Sequence, residues 1–576
     1  MKFAESPVLA PPLPLWRARL VVVLIAGALA VLLGRAFYLQ GLEYGFLQAK
    51  GESRYSRVLE VPANRGRILD RNGEALAVSA PVKSIWAIPE DVVASRSELA
   101  HLAKVLDMSE DEVQKRLTGQ GRDFVFMKRQ VSPEVAERVA ALGLAGIHQN
   151  QEFRRYYPGG EVTAHAVGFT SVDGHGQEGI ELAYEEQLAG RAGARRVIKD
   201  RRGQIVEDLE GTRPAQHGGD IVLALDSRIQ SLAFSKLRDA VRMHRAKGGG
   251  IVVLDARTGE VLALANLPTY NPNNRTQLTG GALRNRAIVD IFEPGSTLKP
   301  LTIAAAIDAG RVTPLTRIST APGTLTIGPA TIRDAHPSEQ LTVTQVIQKS
   351  SNVGAAKVAL MLQPQVLWDL FEQVGFGRES ELGFPGEAGG KLRPYKTWKP
   401  IEQATMSYGH GISVSLLQLA RAYTVFARDG ELLPLSLVKL DAPPRGVPVI
   451  APETARAVLT MLELATHPEG TGARAQIMGY HVAGKTGTAH KLENGGYAPD
   501  KYISSFVGLA PASNPRLVIA ALIDEASDGQ YYGGTIAAPV FAAVMAGALR
   551  ILGVPPDAPM KPIELPGPEA EVRESV

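Results

Sequence analysis

One long apolar stretch near the N-terminus restricts how the rest of the chain can be arranged. Residues 20–34 read LVVVLIAGALAVLLG without a charge, and the apolar pattern resumes after Arg35. The whole stretch is roughly the 20 residues that a helix needs to cross the core of a bilayer. Trp16 and Tyr38 flank it as interfacial aromatic residues do. The sequence therefore predicts a single transmembrane anchor over residues 20–39.

The alternative to an anchor is a cleaved signal peptide, since Ala28-Leu29-Ala30 resembles a cleavage site. The apolar run continues past that triplet, which favours an uncleaved anchor. Lys2, Arg17 and Arg19 precede the run, and positive residues stay on the cytoplasmic side. We therefore expect residues 1–19 to be cytoplasmic and the chain after residue 40 to lie outside the inner membrane.

The remaining chain is long enough for several domains and has no strong charge bias. The whole chain has 576 residues, and a prior of about 150 residues per domain gives two to four domains. The net charge of +3 gives no reason to expect a nucleic-acid partner. Cysteine is absent, which excludes disulfides, thiolate catalysis and cysteine metal sites.

The sequence pattern changes near residue 216. Before it, short strands and helices mix, and Asn72-Gly73 predicts a hairpin turn. After it, residues 248–266 read as two buried strands around a Thr258-Gly259 turn. This order predicts a mixed layer of sheet with helices packed on it. Further strands are expected at 221–226 and 517–526, helices at 296–309, 343–360, 415–428 and 537–552, and a disordered, proline- and glutamate-rich tail at 554–576.

The stretch IFEPGSTLKP, residues 291–300, holds the first candidate for chemistry. A helix starting at about Ser296 places Ser296 and Lys299 on one face. The positive end of its dipole favours a developing alkoxide, and a lysine whose pKa is lowered by burial and a second cation can act as base. Ser436-Leu437-Val438-Lys439 is a second S-x-x-K match. It lies in an apolar run that predicts a strand, where serine and lysine do not share a helical face.

The second candidate is Ser350-Ser351-Asn352. Serine and asparagine favour helix N-caps, so this stretch alone reads as an ordinary helix start. A hydroxyl and a carboxamide two residues apart also suit a proton relay and a donor to a substrate carbonyl.

The third candidate is Lys485-Thr486-Gly487-Thr488, which overlaps a motif of another class of protein. Residues 479–486 read GYHVAGKT, a full match to the phosphate-binding P-loop, and residues 517–525 resemble the acidic strand that holds magnesium in such enzymes. A P-loop needs a helix directly after its lysine. The continuation TAHKLENGGYAPD instead reads as a strand running into a turn, which disfavours nucleotide binding.

S-x-x-K, S-x-N and K-T-G in this order resemble the penicillin-binding protein and serine β-lactamase superfamily. The similarity extends over most of residues 58–553 and is greatest to the septal transpeptidases of Gram-negative bacteria. RGRILDRNGEALA (65–77), YYPGGEVTAHAVGFT (156–170) and GQEGIELAYEEQLAG (176–190) resemble the pedestal of the class B members, and TGEVLALANLPTYNPN (258–273), SYGHGISVSLLQLARAYTVFARDG (407–430) and GKTGTA (484–489) resemble their transpeptidase domain.

This resemblance implies a multidomain α+β fold. An elongated mixed α/β pedestal of the class B dimerisation type would precede a transpeptidase domain, in which helices flank an antiparallel sheet and form an all-helical subdomain. The bulk of the chain would be periplasmic. The expected boundaries are 1–19 for the cytoplasmic tail, 20–39 for the anchor, 40–215 for the pedestal, 216–553 for the transpeptidase domain and 554–576 for the tail.

The family's roles carry over residue by residue. By resemblance, Ser296 would attack the penultimate D-Ala carbonyl of a stem pentapeptide, and Lys299 would take its proton. Ser350 would relay a proton towards the leaving amine, and Asn352 would hydrogen-bond the amide of the donor peptide. The backbone N–H groups of Ser296 and Thr488 would form the oxyanion hole.

The third motif would bind the substrate's terminal carboxylate. Lys485, Thr486 and Thr488 would hold this group, or the carboxylate of a β-lactam, and Gly487 would let the strand approach the substrate closely. Two nearby lysines lower each other's pKa by like-charge repulsion. One of Lys299 and Lys485 can therefore be neutral near pH 7, and the sequence leaves open which one.

The resemblance also implies partners and leaves alternatives. The acceptor would be an amine of a neighbouring stem peptide, suggested to be meso-diaminopimelate. β-Lactams would be covalent inhibitors, a glycosyltransferase of the FtsW type and other division proteins would be partners, and no cofactor or metal is implied. An elongation-type enzyme or a second, condition-specific copy of the septal enzyme remains open.

Three further alternatives are disfavoured. A β-lactamase needs a water-activating carboxylate that we cannot identify, and a penicillin-sensing receptor usually has more membrane spans. A non-catalytic division scaffold has no need of the full set of motif residues found here.

Overall fold

The N-terminal apolar stretch forms a long helix. The computed structural model describes residues 14–45, 56–118, 124–199, 205–208, 213–274, 276, 278, 280–493, 495–563, 565, 567, 572 and 574. Its first element is the helix Leu15–Phe37, continued by the π-helical segment Tyr38–Leu42. The span Leu15–Leu42 has the length and hydropathy needed to cross a membrane, and none of it is buried in the protein. The helix is longer than the predicted 20–39 because it starts directly after Pro14 and includes Arg17 and Arg19.

A second helix of comparable hydropathy, Gly533–Ile551, has a different role. Half of it is buried, and its side chains, including Phe541 and Val544, pack in an apolar cluster with the central sheet. It is therefore a core helix of the globular part. Among the described residues, the N-terminal helix is the one suited to anchoring the chain.

The pedestal contains two sheets joined by short helices. One sheet has the antiparallel strands Ser56–Val61, Gly193–Lys199 and Ile205–Asp208. Asn72-Gly73 makes the predicted turn of the other sheet, since Gly73 has a φ of +88° and Asp70 Oδ1 accepts the N–H group of Asn72 at 2.8 Å. This second sheet has the strands Ile68–Leu69, Ala75–Ala87, Val125–Val131, Ile147–Tyr156 and Ile221–Val222, and the helices are Arg96–Leu106, Glu110–Leu117, Pro133–Ala141, Ala164–Val167, Gly179–Ala183 and Glu185–Ala189.

Three distant stretches of the pedestal meet at one buried carboxylate. The two oxygens of Glu181 each accept a hydrogen bond of 2.6 Å, one from Arg65 Nε and one from Arg155 Nε. All three side chains are buried. This ion cluster (Arg65, Arg155 and Glu181) joins the start, the middle and the end of the pedestal sequence.

The transpeptidase part is built on a five-stranded antiparallel sheet. Gly248–Asp255 and Val261–Leu267 form the predicted pair around the Thr258-Gly259 turn, and Gly259 has a φ of +74°. The remaining strands come from the end of the chain, as Ala483–Glu493, Gly496–Ala510 and Leu517–Asp524. Across the sheet the strands follow in the order Val261–Leu267, Gly248–Asp255, Leu517–Asp524, Gly496–Ala510 and Ala483–Glu493. Ala483–Glu493 therefore lies at one edge.

Helices cover both faces of this sheet. Along Gly248–Asp255, Ile251 and Val253 contribute to one apolar cluster and Val252 and Leu254 to another, as the alternation of side chains in a strand requires. The first cluster packs under Ser227–Met243 and Gly533–Ile551. The second joins the sheet to the helical subdomain, whose helices include Lys299–Asp308, Val343–Gln348, Asn352–Leu360, Pro364–Gln373, Pro400–Met406, Leu416–Ala422, Thr424–Ala427 and Pro452–Leu464, with Arg286–Val289 alongside.

The predicted helices are present, but two of them are interrupted. The predicted helix 343–360 breaks at Ser350, which has a φ of +58°. The predicted helix 415–428 breaks at Tyr423. The strand predicted at 221–226 ends at Val222.

The subdomain expected to be all-helical also carries short strands. Arg317–Ser319 pairs with Gln340–Thr342, and Thr324–Ile327 pairs with Ala330–Arg333. Two further short pairs join Ile291–Phe292 to Val414–Ser415 and Glu431–Leu432 to Val447–Pro448.

The first part of the C-terminal tail packs on the transpeptidase domain. Asp557 accepts hydrogen bonds from the backbone N–H of His481 at 2.8 Å and from the Ser513 hydroxyl at 2.6 Å, and Tyr480 donates to the carbonyl of Val554 at 2.6 Å. Residues 554–557 are therefore ordered, contrary to the disorder expected from residue 554. Much of the tail beyond residue 563 lies outside the described residues.

Candidate active site

Ser296 lies in a tight turn at the start of a helix. Gly295–Leu298 forms one turn of 3-10 helix, called here the nucleophile turn, and it runs directly into Lys299–Asp308. Ser296 and Lys299 are both buried. Residues three apart eclipse each other in a 3-10 helix, so the two side chains project from the same side, as the predicted helix start requires.

Two hydroxyl groups hold the nucleophile turn in place. Thr297 Oγ1 donates to the carbonyl of Pro294 at 2.7 Å. The Tyr423 hydroxyl, from the interruption between two helices, donates to the carbonyl of Thr297 at 2.7 Å. The backbone on either side of Ser296 is therefore fixed by the side chains of Thr297 and Tyr423, neither of which is a defining position of the S-x-x-K motif.

Lys299 contacts the second motif directly. Its Nζ donates to the carbonyl of Ser350 at 2.6 Å and to Ser350 Oγ at 3.1 Å. This pairing depends on the left-handed backbone of Ser350, which costs about 1–2 kcal/mol for a residue with a side chain. The interruption of the predicted helix thus places both oxygens of Ser350 beside the lysine.

The other two residues of the second motif start the next helix. Ser351 is its N-cap and accepts the N–H group of Gly354 at 2.8 Å. The amide nitrogen of Asn352 donates to the carbonyl of Arg333 at 3.4 Å. Its buried Oδ1 has no hydrogen-bond partner among the described residues, so this oxygen is available to an N–H group of a ligand.

Asp334 positions this second motif, and sequence reasoning missed it. Its carboxylate accepts from the Ser351 hydroxyl at 2.6 Å and from the N–H of Val353 at 3.0 Å. It follows directly after the small strand Ala330–Arg333. No spacing rule connects this aspartate to Ser351, since only the hairpin brings them together.

The third motif lies on the edge strand Ala483–Glu493, called here the KTGT strand. Lys485 is fully buried, and its Nζ donates to Thr486 Oγ1 at 3.0 Å and to Thr471 Oγ1 at 3.3 Å. The strand continues through a turn into Gly496–Ala510. Because no helix follows Lys485, the segment does not have the structure of a P-loop.

Gly487 lets the KTGT strand pack on the nucleophile turn. A Cβ at this position would lie 2.8 Å from the Pro294 carbonyl oxygen, 2.8 Å from Thr297 Cγ2 and 2.5 Å from Ser505 Oγ. Two of these atoms belong to the residues that bracket Ser296. The glycine is therefore required by the contact between strand and turn, in addition to the closeness to substrate that the sequence predicts.

A carboxylate of the chain itself lies against the threonines of the KTGT strand. Thr486 Oγ1 donates to Glu574 Oε2 at 3.1 Å, and Thr488 Oγ1 donates to Glu574 Oε1. Glu574 is 2% exposed. The two threonine hydroxyls predicted to bind a substrate carboxylate thus bind the carboxylate of Glu574. No sequence signal pointed to Glu574.

The two lysines differ in charge. Burial lowers the pKa of Lys299 well below its ordinary value, and the positive charge of Lys485 lowers it further. Burial lowers the pKa of Lys485 to about 8, and the Glu574 carboxylate opposes that decrease. The structure therefore favours Lys299 as the neutral amine and Lys485 as the charged one, a choice that the sequence left open.

The second S-x-x-K match lies elsewhere. The predicted strand does not form there, because Ser436 and Val438 make only single β-bridges on either side of a bend at Leu437, and the segment is not helical either. Ser436 Oγ donates to the carbonyl of Val438 at 2.7 Å, and the exposed Lys439 donates to the carbonyl of Arg71 at 3.1 Å. Serine and lysine here bond to different parts of the backbone.

Comparison with known proteins identifies the family. The penicillin binding protein transpeptidase domain matches residues 249–546, and the penicillin-binding protein dimerisation domain matches residues 60–223. The chain is 45% identical over 548 residues to the probable peptidoglycan D,D-transpeptidase PenA of Neisseria gonorrhoeae, with 94% of each chain covered. It is 42% identical over 550 residues to the peptidoglycan D,D-transpeptidase FtsI of Escherichia coli K12, covering 94% of this chain and 93% of FtsI.

A solved structure agrees with these relatives. The apo transpeptidase domain of penicillin-binding protein 3 from Burkholderia pseudomallei is 47% identical, with a TM-score of 0.55, and the match covers 58% of this chain and 98% of that one. The chain therefore belongs to the class B penicillin-binding proteins, in which a dimerisation domain precedes a transpeptidase domain. Within that class it is a serine-type D,D-transpeptidase of the FtsI and PenA kind.

Proposed function

We propose that the chain cross-links peptidoglycan stem peptides at the division septum through an acyl-enzyme on Ser296. The single observation that carries the assignment is the contact of Lys299 with both oxygens of Ser350. Lys299 lies one turn after the buried Ser296, next to the KTGT strand. A neutral amine can donate two hydrogen bonds and still offer a lone pair. Lys299 therefore has two hydrogens for Ser350 and its lone pair for the hydroxyl of Ser296.

The acylation step follows from these positions. Ser296 Oγ attacks the carbonyl carbon of the penultimate D-Ala, and its proton passes to Lys299 Nζ. The amide bond to the terminal D-Ala then breaks, and the leaving nitrogen takes a proton from Ser350 Oγ, which recovers one from Lys299. An amine of a neighbouring stem peptide attacks the resulting ester and forms the cross-link, while Ser296 regains its proton.

The terminal carboxylate of the donor peptide would bind at the KTGT strand. Lys485 supplies a buried positive charge, and Thr486 and Thr488 supply hydroxyl donors at the position where a carboxylate of the chain now lies. Charge-assisted hydrogen bonds are about twice as strong as neutral ones. This set of groups therefore suits an anionic peptide terminus, and equally the carboxylate of a β-lactam.

Two further interactions would orient the peptide. The unpartnered Oδ1 of Asn352 suits an amide N–H of the donor. The backbone N–H groups of Ser296 and Thr488 would stabilise the oxyanion that forms as Ser296 attacks, a contribution that is often the largest in acyl transfer. Gly487 supports this arrangement by allowing the strand to approach the nucleophile turn.

We also propose the setting of the reaction. The anchor would hold the chain in the bacterial inner membrane, with residues 1–19 in the cytoplasm and the domains at 40–215 and 216–553 in the periplasm. The family matches at 60–223 and 249–546 support two domains in this order. The acceptor would be meso-diaminopimelate, and an FtsW-type glycosyltransferase and other division proteins would be partners.

Covalent labelling tests the assignment of the nucleophile. The full chain in detergent is incubated with a labelled penicillin, digested and analysed by mass spectrometry. We expect one adduct, on the peptide that contains Ser296. Ser296→Ala should abolish it, and the matched control Ser436→Ala should leave it unchanged. An adduct on Ser436, or a Ser296→Ala variant that still labels, would contradict the proposal.

A further inference from the structure

The C-terminal tail is held beside the start of the KTGT strand. The N–H groups of Asp557 and Ala558 donate to the carbonyl of Gly479 at 3.1 Å, and the Asp557 carboxylate accepts from the N–H of His481. Met560 packs on Gly479, since its sulfur lies 2.5 Å from the position that a Cβ would take there. The tail is therefore fixed two residues before the strand begins at Ala483.

The end of the tail contacts the same strand further along. The Glu574 carboxylate accepts the hydroxyls of both Thr486 and Thr488, and it is nearly fully buried there. Each of its oxygens has a hydroxyl partner, and the positive charge of Lys485 acts on it. A carboxylate, two hydroxyls and a lysine are the components of the substrate contact proposed above.

The length of the tail fits this path. Glu574 follows Lys561 by thirteen residues, so the chain between them can span at most about 47 Å, and flexible linkers of that many residues have a root-mean-square extent of about 20 Å. Thr488 follows His481 by seven residues, an advance of about 23 Å along an extended strand. When the extent of a linker matches the span, its effective concentration is at a maximum, in the millimolar range.

We propose that the C-terminal tail is an internal ligand of the active site, with the Glu574 carboxylate occupying the position of the substrate's terminal carboxylate. The tail then competes with the donor peptide and with β-lactams for Thr486 and Thr488. This inference rests on the proposed function, because it takes the KTGT strand as the carboxylate site. Binding of substrate requires the tail to leave, while residues 554–557 remain docked.

The rate of acylation measures the competition. The second-order rate constant with a fluorescent penicillin is determined for the full chain, for Glu574→Gln and for a chain that ends at Lys561. An internal ligand at millimolar effective concentration with millimolar affinity lowers this constant severalfold. We therefore expect both variants to react about two- to tenfold faster than the parent.

The matched control is Glu569→Gln, which removes the same charge from the same tail. It should react at the parental rate, because the inference concerns one carboxylate and not the charge of the tail. If Glu574→Gln reacts at the parental rate, or Glu569→Gln accelerates as much as Glu574→Gln, the inference is wrong.

Addition of the tail as a separate molecule gives a second readout. The peptide AEVRESV, residues 570–576 with its C-terminus amidated, is added at millimolar concentration to the chain that ends at Lys561. It should slow acylation, and the same peptide with glutamine at position 574 should not. Equal inhibition by both peptides would contradict the inference. If no variant forms an adduct on Ser296, the proposed function itself fails, which distinguishes that outcome from failure of the tail inference alone.

Discussion

The two S-x-x-K segments of this chain have the same residue types in very different surroundings. In the first, Ser296 lies in a 3-10 turn and Lys299 is buried against Ser350. In the second, two single β-bridges flank a bend at Leu437 in place of a helical turn, and the exposed Lys439 donates to the carbonyl of Arg71. What distinguishes the first segment is therefore its surroundings, namely a second motif that accepts hydrogen bonds from the lysine and a third that packs on the turn.

Removing each lysine should give the largest difference between the two segments. Lys299→Met deletes the proposed general base, and such groups contribute about 10²- to 10⁴-fold to rate. We expect the second-order rate constant of acylation by a fluorescent penicillin to fall within that range. Lys439→Met is the control and should stay within about twofold of the parent. Similar losses in both variants would mean that the surroundings do not separate the two segments.

Packing of the KTGT strand on the first segment can be disturbed without touching a reactive group. Gly487→Ala places a methyl group less than 3 Å from Pro294, Thr297 and Ser505 atoms, so strand and turn must separate. A displacement of about 1 Å can cost about 10²-fold in rate, and the acylation assay should show a loss of that order. Gly496→Ala, on the same hairpin with no atom within 4 Å of its Cβ, should acylate normally. Normal acylation by Gly487→Ala would show that the contact is not needed.

The pH dependence sharpens the difference between the two buried lysines. In the proposed mechanism, acylation requires Lys299 neutral and Lys485 charged. Because the pKa of Lys485 is about 8, its charge is lost as pH rises through that value, and the rate should be about tenfold lower at pH 9 than on the plateau below about pH 7. Lys485→Arg keeps its charge at these pH values. Its rate should not decline between pH 8 and pH 9, even if the plateau is lower. Identical declines in both proteins would assign the effect to another group.

The candidate site residues could be proposed from sequence because each lies in a local motif whose order along the chain is itself informative. Ser296, Lys299, Ser350, Asn352 and the KTGT residues were identified in this way. The same reasoning predicted the central strands and the Thr258-Gly259 turn, since buried strands and glycine turns leave local signals.

Other features depend on long-range contacts and left no such signal. The left-handed backbone of Ser350 is one such feature, and its carbonyl accepts a hydrogen bond from the distant Lys299. Asp334 reaches Ser351 only through the fold of a hairpin. Glu574 lies in a segment whose composition predicts disorder, yet its carboxylate has a specific site on the KTGT strand.

The ion cluster of the pedestal has a consequence for biosynthesis. Domains are made from the N-terminus, so Arg65 and Arg155 both leave the ribosome before Glu181 does. A buried charge without its partner costs about 3–5 kcal/mol, and two guanidinium groups cannot be enclosed together until that glutamate arrives. A nascent chain stalled before residue 181 is therefore expected to remain open and to be recognised by chaperones and proteases.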